Sequence, residues 1–152
     1  MSSAWAFAVA AWARPRVEAA CLDLQDLHGQ SPALLLWRWR TLVEHRGVTA
    51  DALATAVQLA SGWEVEVLGP LRALRRRLAT RHDSVPDGVR AAVRRRVLDA
   101  ELEAERGLLD ALEALETPCL GELPRPQALI DLAEAWRPPA PSAALLRLIE
   151  AL

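Results

Sequence analysis

Residues 86–115 read PDGVRAAVRRRVLDAELEAERGLLDALEAL, and this stretch sets the architecture of the chain. It predicts one long helix that begins near Pro86, runs to about Leu115 and carries two apolar seams. The first seam consists of small residues at alternating spacings of four and three, typical of a close-packed helix pair: Val93, Val97, Ala100, Ala104, Gly107, Ala111 and Ala114. The second seam consists of Leu98, Leu102, Leu109 and Leu112. Two seams predict neighbours on two sides, from the same chain or from a partner subunit.

The remainder of the chain is rich in residues that begin and end helices, and strand patterns are almost missing. Ser31 and Thr49 suit helix N-caps, while Gly29 and Gly47 suit helix ends. At 152 residues the chain can bury roughly 70% of its unfolded surface in one core. We therefore predict an all-α fold, residues 1–152, as a single-domain bundle of six to seven helices with a long sixth helix.

Two helices that precede the long one, the third and the fifth, each allow more than one interpretation. The third helix is apolar on two sides, with Trp37 opposite its core face, which favours a position at the centre of the bundle. A fourth helix is predicted to stop at Gly62, and a fifth to cover residues 63–81. Pro70 must kink or restart that fifth helix, because a proline inside a helix removes one backbone hydrogen bond and clashes with the previous turn.

Two proline-rich segments divide the C-terminal third of the chain. Residues 117–126 are predicted to be a proline-rich connection, and residues 137–141 a stiff proline-rich spacer. The last segment, residues 142–152, is a short amphipathic helix that is too short to be stable alone in water. It must therefore dock, and the sequence leaves open whether it docks on its own chain or on another.

Charge is segregated along the chain. Residues 72–96 contain nine of the eighteen arginines and two aspartates, a net charge of +7, whereas residues 97–152 carry −7 from four arginines and eleven acids. A short turn near residues 83–85 makes the fifth and sixth helices antiparallel, so the arginines should gather at that turn. The arginine pole, our candidate interaction site, consists of Arg72, Arg75, Arg76, Arg77, Arg81, Arg90, Arg94, Arg95 and Arg96.

Two interpretations of the arginine pole stay open. In the first, acids from the first half of the chain cover it, and the candidates are Glu18, Asp23, Asp26, Glu44 and Asp51. In the second, the pole is exposed to RNA, DNA or an acidic protein surface. A sequence pI of about 5.9 and the absence of tryptophan from residues 72–96 argue against nucleic acid.

No catalytic, metal or cofactor signature stands out. Lysine is absent, which excludes Schiff-base and P-loop lysine chemistry. Cys21 and His28 share an apolar helix face, a pattern more typical of a core than of a metal site. Glu101 and Glu105 face the same way on the long helix, and we interpret them as solvated surface rather than an acid–base pair. We therefore predict no enzyme, no catalytic residue, no metal and no cofactor.

The opening apolar stretch, residues 4–13, is too short to span a bilayer and lacks a positive segment before it. Cys21 and Cys119 are interpreted as reduced thiols. These observations predict a cytoplasmic protein without membrane insertion.

The stretch AWAFAVAAWARPRVEAACLDLQDLHGQSPALLLW, residues 4–37, resembles a family of small proteobacterial proteins known only as a domain of unknown function, DUF2390. The resemblance extends to about residue 106. Its motif positions include Trp5, Phe7, Cys21, Gln25, Asp26, Gly29 and Trp37. This resemblance implies a helical cytoplasmic protein and supplies no reaction, cofactor or partner, with a structural role for Gln25 and Asp26.

We predict a non-enzymatic protein that binds another protein through the arginine pole or the second seam. The alternative is a nucleic-acid or ribosome-associated protein that binds phosphate through the same arginines. A homo-oligomer could form through the sixth or last helix. A third hypothesis is a small enzyme, which would require an open pocket that gathers Cys21, His28, Gln25 and Asp26.

Overall fold

The structure is a computed structural model that describes residues 2–120 and 125–152. The side chains of Cys119 and Leu120 are not described. The prediction that Cys119 is a reduced thiol therefore lies outside the described residues. The helices are α1 (Ala4–Trp12), α2 (Pro15–His28), α3 (Pro32–Val43), α4 (Ala50–Trp63), α5 (Gly69–Arg77), α6 (Asp87–Glu113), α7 (Pro126–Trp136) and α8 (Ser142–Ala151). Because α4 and α5 are continuous, the described part contains seven helical rods. The predicted all-α class is confirmed, and α6 is the long helix.

Local capping explains where several helices begin and end. The hydroxyl groups of Ser31 and Thr49 accept hydrogen bonds from the backbone N–H groups of Leu34 and Ala52 at the starts of α3 and α4. Gly29 ends α2 in the left-handed conformation, with φ +62°. These three predicted caps are confirmed. Gly47 does not end α3, since that helix already stops at Val43.

Helix α3 lies at the centre of the bundle, as its two apolar sides predict. It contacts α1, α2, α4, α6 and α7. Leu34, Leu35, Leu36 and Leu42 are fully buried, and Trp37 on the opposite side is also 0% exposed. A helix that is apolar on opposite sides and buried on most of its surface needs other elements around it, so α3 is the central helix against which the others pack.

The predicted break at Gly62 is wrong. Helix α4 continues into a π-helical turn, Glu64–Leu68, which leads directly into α5. Pro70 explains the widened turn, because the proline ring would clash with the carbonyl group four residues earlier in a regular α-helix. Gly69 closes the turn by donating its backbone N–H to the carbonyl oxygen of Glu64. A Cβ atom at Gly69 would lie 2.8 Å from that oxygen, so the turn requires glycine.

A small antiparallel sheet was missed from the sequence. Strand β1 (Arg46–Gly47) pairs with β2 (Thr117–Leu120), which lies in the stretch predicted to be a proline-rich connection. Isolated two-stranded pairings are marginal in water, and the two segments are seventy residues apart in sequence. The pairing therefore depends on the surrounding helices, and its short strands carry no recognisable sequence pattern.

The first predicted seam of α6 is wrong in large part, because Ala100, Gly107 and Ala114 are exposed. The buried face instead consists of Val97, Glu101, Ala104, Leu108, Leu109 and Leu112. A Cβ atom at Gly107 would meet nothing within 4 Å, so no helix of the described part packs against that side. The seam of small residues is therefore mostly a solvent-facing stripe.

The last helix, α8, packs against α2 and α7 of its own chain. Ala144, Leu145 and Leu148 are buried in that contact, and Arg14 donates a hydrogen bond to the backbone carbonyl of Leu152. Trp136 at the end of α7 donates its indole N–H to the carbonyl oxygen of Gly29, at 2.9 Å. These contacts place the C-terminal segment on the α2 side of the bundle.

A buried ion pair joins α3 to the end of α6. The side chains of Arg40 and Glu116 are 1% and 0% exposed, and Arg40 Nη1 lies 2.6 Å from Glu116 Oε1. Arg40 Nη2 also bonds Glu113 and the carbonyl oxygen of Ser2, at 3.0 and 2.9 Å. Trp37 Nε1 donates to Glu116 Oε1 at 2.9 Å. Arg46 of β1 also binds this carboxylate, with 2.9 Å between its Nε and Glu116 Oε2, so four chain segments meet at one charge cluster.

We expect Arg40→Ala to lower the free energy of unfolding by about 3–5 kcal/mol, because the substitution leaves the buried carboxylate of Glu116 without its charge partner. Urea denaturation followed by circular dichroism measures the change. Arg147→Ala is the control, since the side chain of Arg147 is 56% exposed and lies 3.9 Å from Asp23; it should cost at most about 1 kcal/mol. Equal losses for the two variants would contradict a central role for Arg40.

Two glycine substitutions should have opposite effects. Gly69→Ala should lower the free energy of unfolding by about 1–3 kcal/mol, because the new Cβ meets the backbone oxygen of Glu64. Gly107→Ala should raise it by about 0.5–1 kcal/mol, because alanine is the better helix former and the site is open. Thermal and urea unfolding measure both. A neutral or stabilising Gly69→Ala would contradict the constraint on the π-helical turn.

Candidate functional site

The arginine pole lies on two helices that run side by side in opposite directions. Arg72 of α5 contacts Glu105 of α6, and Arg75 contacts Glu101. The later residue on α5 meets the earlier residue on α6, so the two helices are antiparallel. Near the turn that joins the helices, Arg90 Nη1 donates to the carbonyl oxygen of Leu78 at 2.5 Å. The turn therefore brings both halves of the arginine pole to the same end of the hairpin.

The inner arginines, Arg72 and Arg75, are covered by glutamates. Arg72 is 7% exposed, and its Nη1 lies 2.7 and 2.8 Å from the two carboxylate oxygens of Glu64. Arg75 binds Glu101 with two hydrogen bonds, of 2.6 Å from Nε and 3.2 Å from Nη2. Paired charges of this kind are part of the bundle, so these two arginines are not presented to a partner.

Glu101 and Glu105 are not the solvated surface that we predicted. Glu101 is 5% exposed and lies in the middle of the buried face of α6. Glu105 is partly buried and accepts a hydrogen bond from Arg72 Nη2 at 3.3 Å. Burial raises the pKa of Glu105, and the nearby charges of Glu101 and Glu64 add to that effect against the opposing influence of Arg72. These carboxyl groups are held in a desolvated ion cluster.

Two further members of the arginine pole have partners near the surface. Arg76 Nη2 lies 2.6 Å from Asp26 on α2, and Arg90 Nε lies 3.3 Å from Asp87. Among the first-half acids considered as covers, Asp26 is the one that forms an ion pair with the pole in the described ranges. Glu44 instead pairs with Arg40, and Asp23 lies near Arg147. The pole is thus covered in part, and mostly by acids of the π-helical turn and α6.

The remaining members form a set that we call the outer arginines: Arg77, Arg81, Arg94, Arg95 and Arg96. None of them has an ion pair within residues 2–120 and 125–152, and all except the partly buried Arg94 are exposed. The Nε atom of Arg94 is buried without a hydrogen-bond acceptor in the same described ranges. Residues 77–96 contain six arginines and two aspartates, so this end of the hairpin carries +4.

The second predicted seam is divided between core and surface. Leu109 and Leu112 are 2% and 0% exposed and belong to the core. Leu98 and Leu102 are 39% and 44% exposed and line an open groove beside α1 and α2. Leu98 and Leu102 are therefore the two leucines of this seam that a ligand could reach in the described structure.

Most family-motif positions have structural contacts. Cys21 and Trp37 are fully buried, and Phe7 packs against the core. Gly29 caps α2, and Asp26 accepts hydrogen bonds from Gln25 and Arg76. Trp5 and Gln25 line the groove.

The pocket required by the enzyme hypothesis does not gather its four residues. Gln25 lines the groove, whereas Asp26 and His28 are exposed and Cys21 is buried beneath the helix surface. Burial and the charge of Glu105 raise the pKa of Cys21 to about 12, so its sulfur is a thiol rather than a nucleophilic thiolate at neutral pH. In the part of the chain that the structure describes, no three His, Cys, Asp or Glu side chains form a group that could hold a metal ion.

Among the residues that the structure describes, no helix is both long and apolar enough to cross a bilayer.

Comparison with known proteins gives one result. Residues 3–112 match the family DUF2390, described as a protein of unknown function. This range contains α1 to α5 and nearly all of α6, and hence the arginine pole, the groove and every motif position. No curated protein and no solved structure matches the chain.

The raised pKa of Glu105 gives a test by pH. The folded state binds the Glu105 proton more tightly than the unfolded state does, so the stability contributed by this proton is lost as pH rises from about 4 through the raised pKa. We therefore expect Glu105→Gln to gain stability relative to the unsubstituted protein as pH increases from 4 to 7. Urea unfolding at several pH values measures this trend. Glu103→Gln, on the exposed face of α6, gives the reference slope, and an opposite trend would refute desolvation of Glu105.

Proposed function

The chain belongs to the DUF2390 family, whose description names no activity, and we propose that it is a protein-interaction module that binds an acidic segment of a partner protein through the outer arginines. The observation that carries this proposal is the division of the arginine pole. Arg72 and Arg75 are neutralised by glutamates of the π-helical turn and α6, whereas the outer arginines have no ion pair in the described residues. The chain therefore leaves its basic charge at one end of the α5–α6 hairpin.

Arginine is suited to this role because its planar guanidinium group binds a carboxylate with two parallel hydrogen bonds. Several arginines close together also attract an acidic segment before contact, because like charges reinforce the local potential.

A protein segment fits the hairpin end better than a nucleic acid does. No tryptophan lies in residues 72–96, so stacking platforms for bases are missing there. The proposal places the protein in the cytoplasm, in keeping with the unpaired thiol of Cys21.

The test compares two pairs of charge reversals on the full chain. R95E/R96E changes two outer arginines, and R16E/R106E changes two exposed arginines elsewhere that also lack an ion pair in the described part. We expect a fluorescein-labelled peptide of twelve alternating Glu and Ser residues to bind at least about tenfold more weakly to R95E/R96E, because each charge-assisted hydrogen bond contributes about 1.5–3 kcal/mol. R16E/R106E should retain the affinity. Fluorescence anisotropy at fixed salt measures both.

Equal losses in the two variants would show a response to net charge alone and would refute the assignment to the outer arginines. A labelled single-stranded oligonucleotide tests the nucleic-acid alternative in the same assay. If the oligonucleotide bound more tightly than the peptide, with an affinity that fell steeply between 50 and 200 mM salt as phosphate contacts predict, the protein-segment proposal would be wrong.

A further inference from the structure

A groove of about 650 Å³ lies between the α1–α2 region and α6, and none of the outer arginines lines it. Its volume lies within the roughly 300–1,000 Å³ typical of small-molecule sites. Five helices, α1, α2, α3, α5 and α6, supply its walls, so a ligand would be enclosed from several sides. Its main apolar side chains are Trp5, Val9, Trp12, Leu22, Leu98 and Leu102.

Several of the exposed large apolar side chains of the protein meet in this groove. Val9, Leu22, Leu98 and Leu102 are between 39% and 49% exposed, and all four line this groove. Apolar side chains exposed singly are ordinary, but a contiguous concave patch is typical of a binding site. The patch would supply the hydrophobic part of the binding energy for a ligand with an apolar body.

The charged groups that line the groove are predominantly acidic. They are Glu18, Glu101 and Glu105 against Arg75. Both carboxylate oxygens of Glu101 are already bound by Arg75. Glu105 Oε1 accepts from Arg72 at 3.3 Å, while no hydrogen bond within the described residues occupies its Oε2. A ligand in the groove therefore finds an available carboxylate oxygen next to apolar walls.

We propose that this groove binds an amphipathic organic cation, with its apolar body against Leu98, Leu102 and Trp12 and its ammonium group at Glu105. Charge complementarity selects this class, because the acidic lining repels a carboxylate or phosphate and attracts an amine. The indole rings of Trp5 and Trp12 line the same groove and can stabilise a cation through their negative faces. The partly buried position of Glu105 strengthens the contact, since a charge pair is stronger where water is excluded.

The test uses three probes with one apolar body: 4-phenylbutylamine, 4-phenylbutan-1-ol and 4-phenylbutyrate. Calorimetric titration into the full chain at neutral pH measures each affinity. We expect the amine to bind about tenfold more tightly than the alcohol, because a hydrogen bond to a charged group is worth more than a neutral one. The carboxylate should bind most weakly. Equal affinities for the amine and the alcohol would overturn the proposal.

Variants locate the site. Leu102→Ser should weaken binding of the amine and the alcohol alike, whereas Leu146→Ser, a similarly exposed leucine on α8, should not. Glu105→Gln should remove the preference for the amine, whereas Glu103→Gln on the outer face should keep it. Circular dichroism confirms that each variant folds. Loss of binding in Leu146→Ser as large as in Leu102→Ser, or an unchanged preference in Glu105→Gln, would refute the site.

The groove and the outer arginines are tested separately. R95E/R96E should leave the affinity for 4-phenylbutylamine within about twofold of the unsubstituted value, because neither arginine lines the groove. A loss of about tenfold or more would mean that the amine does not bind where we propose, whatever the result of the peptide titration.

Discussion

The ion pair between Arg40 and Glu116 is the constraint on which the rest of the structure depends. A charge pair inside a protein is tolerated only when its remaining donors and acceptors are also satisfied. Here the donors of Arg40 reach Ser2 and Glu113, and the oxygens of Glu116 accept from Trp37 and Arg46. These partners come from the N-terminus, α3, β1 and the end of α6. Their joint geometry fixes the position of α6 against the central helix, and thereby the placement of both the groove and the arginine pole.

The second ion cluster, around Arg72, explains why charge is segregated along the chain. Glu64, Glu101 and Glu105 surround the guanidinium group of Arg72, so part of the basic block is neutralised by the acidic block that follows it. Sequence distance conceals this relation, because the antiparallel hairpin brings α5 beside the middle of α6 rather than beside its start. The excess charge therefore lies beyond the cluster, towards the turn. One hairpin thus combines a neutralised, desolvated middle with a strongly basic end.

The features that the sequence predicted are those set by neighbouring residues. Ser31, Thr49 and Gly29 act as the caps that their types suggest, and α6 has close to its predicted length. The burial of Glu101 was missed because glutamate is usually solvated, although it sits four residues after Val97 on a stripe that continues through Ala104 and Leu108. That spacing was the available signal. The groove and the β1–β2 pairing could not be predicted, since each depends on side chains or strands that only the tertiary fold brings together.

The π-helical turn also determines which way α5 faces. Successive residues of an α-helix are rotated by about 100° about its axis, so one extra residue in a turn changes the phase of everything that follows by about that angle. The turn at Glu64–Leu68 gives α5 the phase at which Arg72 and Arg75 point towards α6. With a regular turn in its place, Leu71 would occupy the direction now taken by Arg72, and the glutamates of α6 would lose their partner. A local irregularity thus sets the angular alignment of the entire charged hairpin.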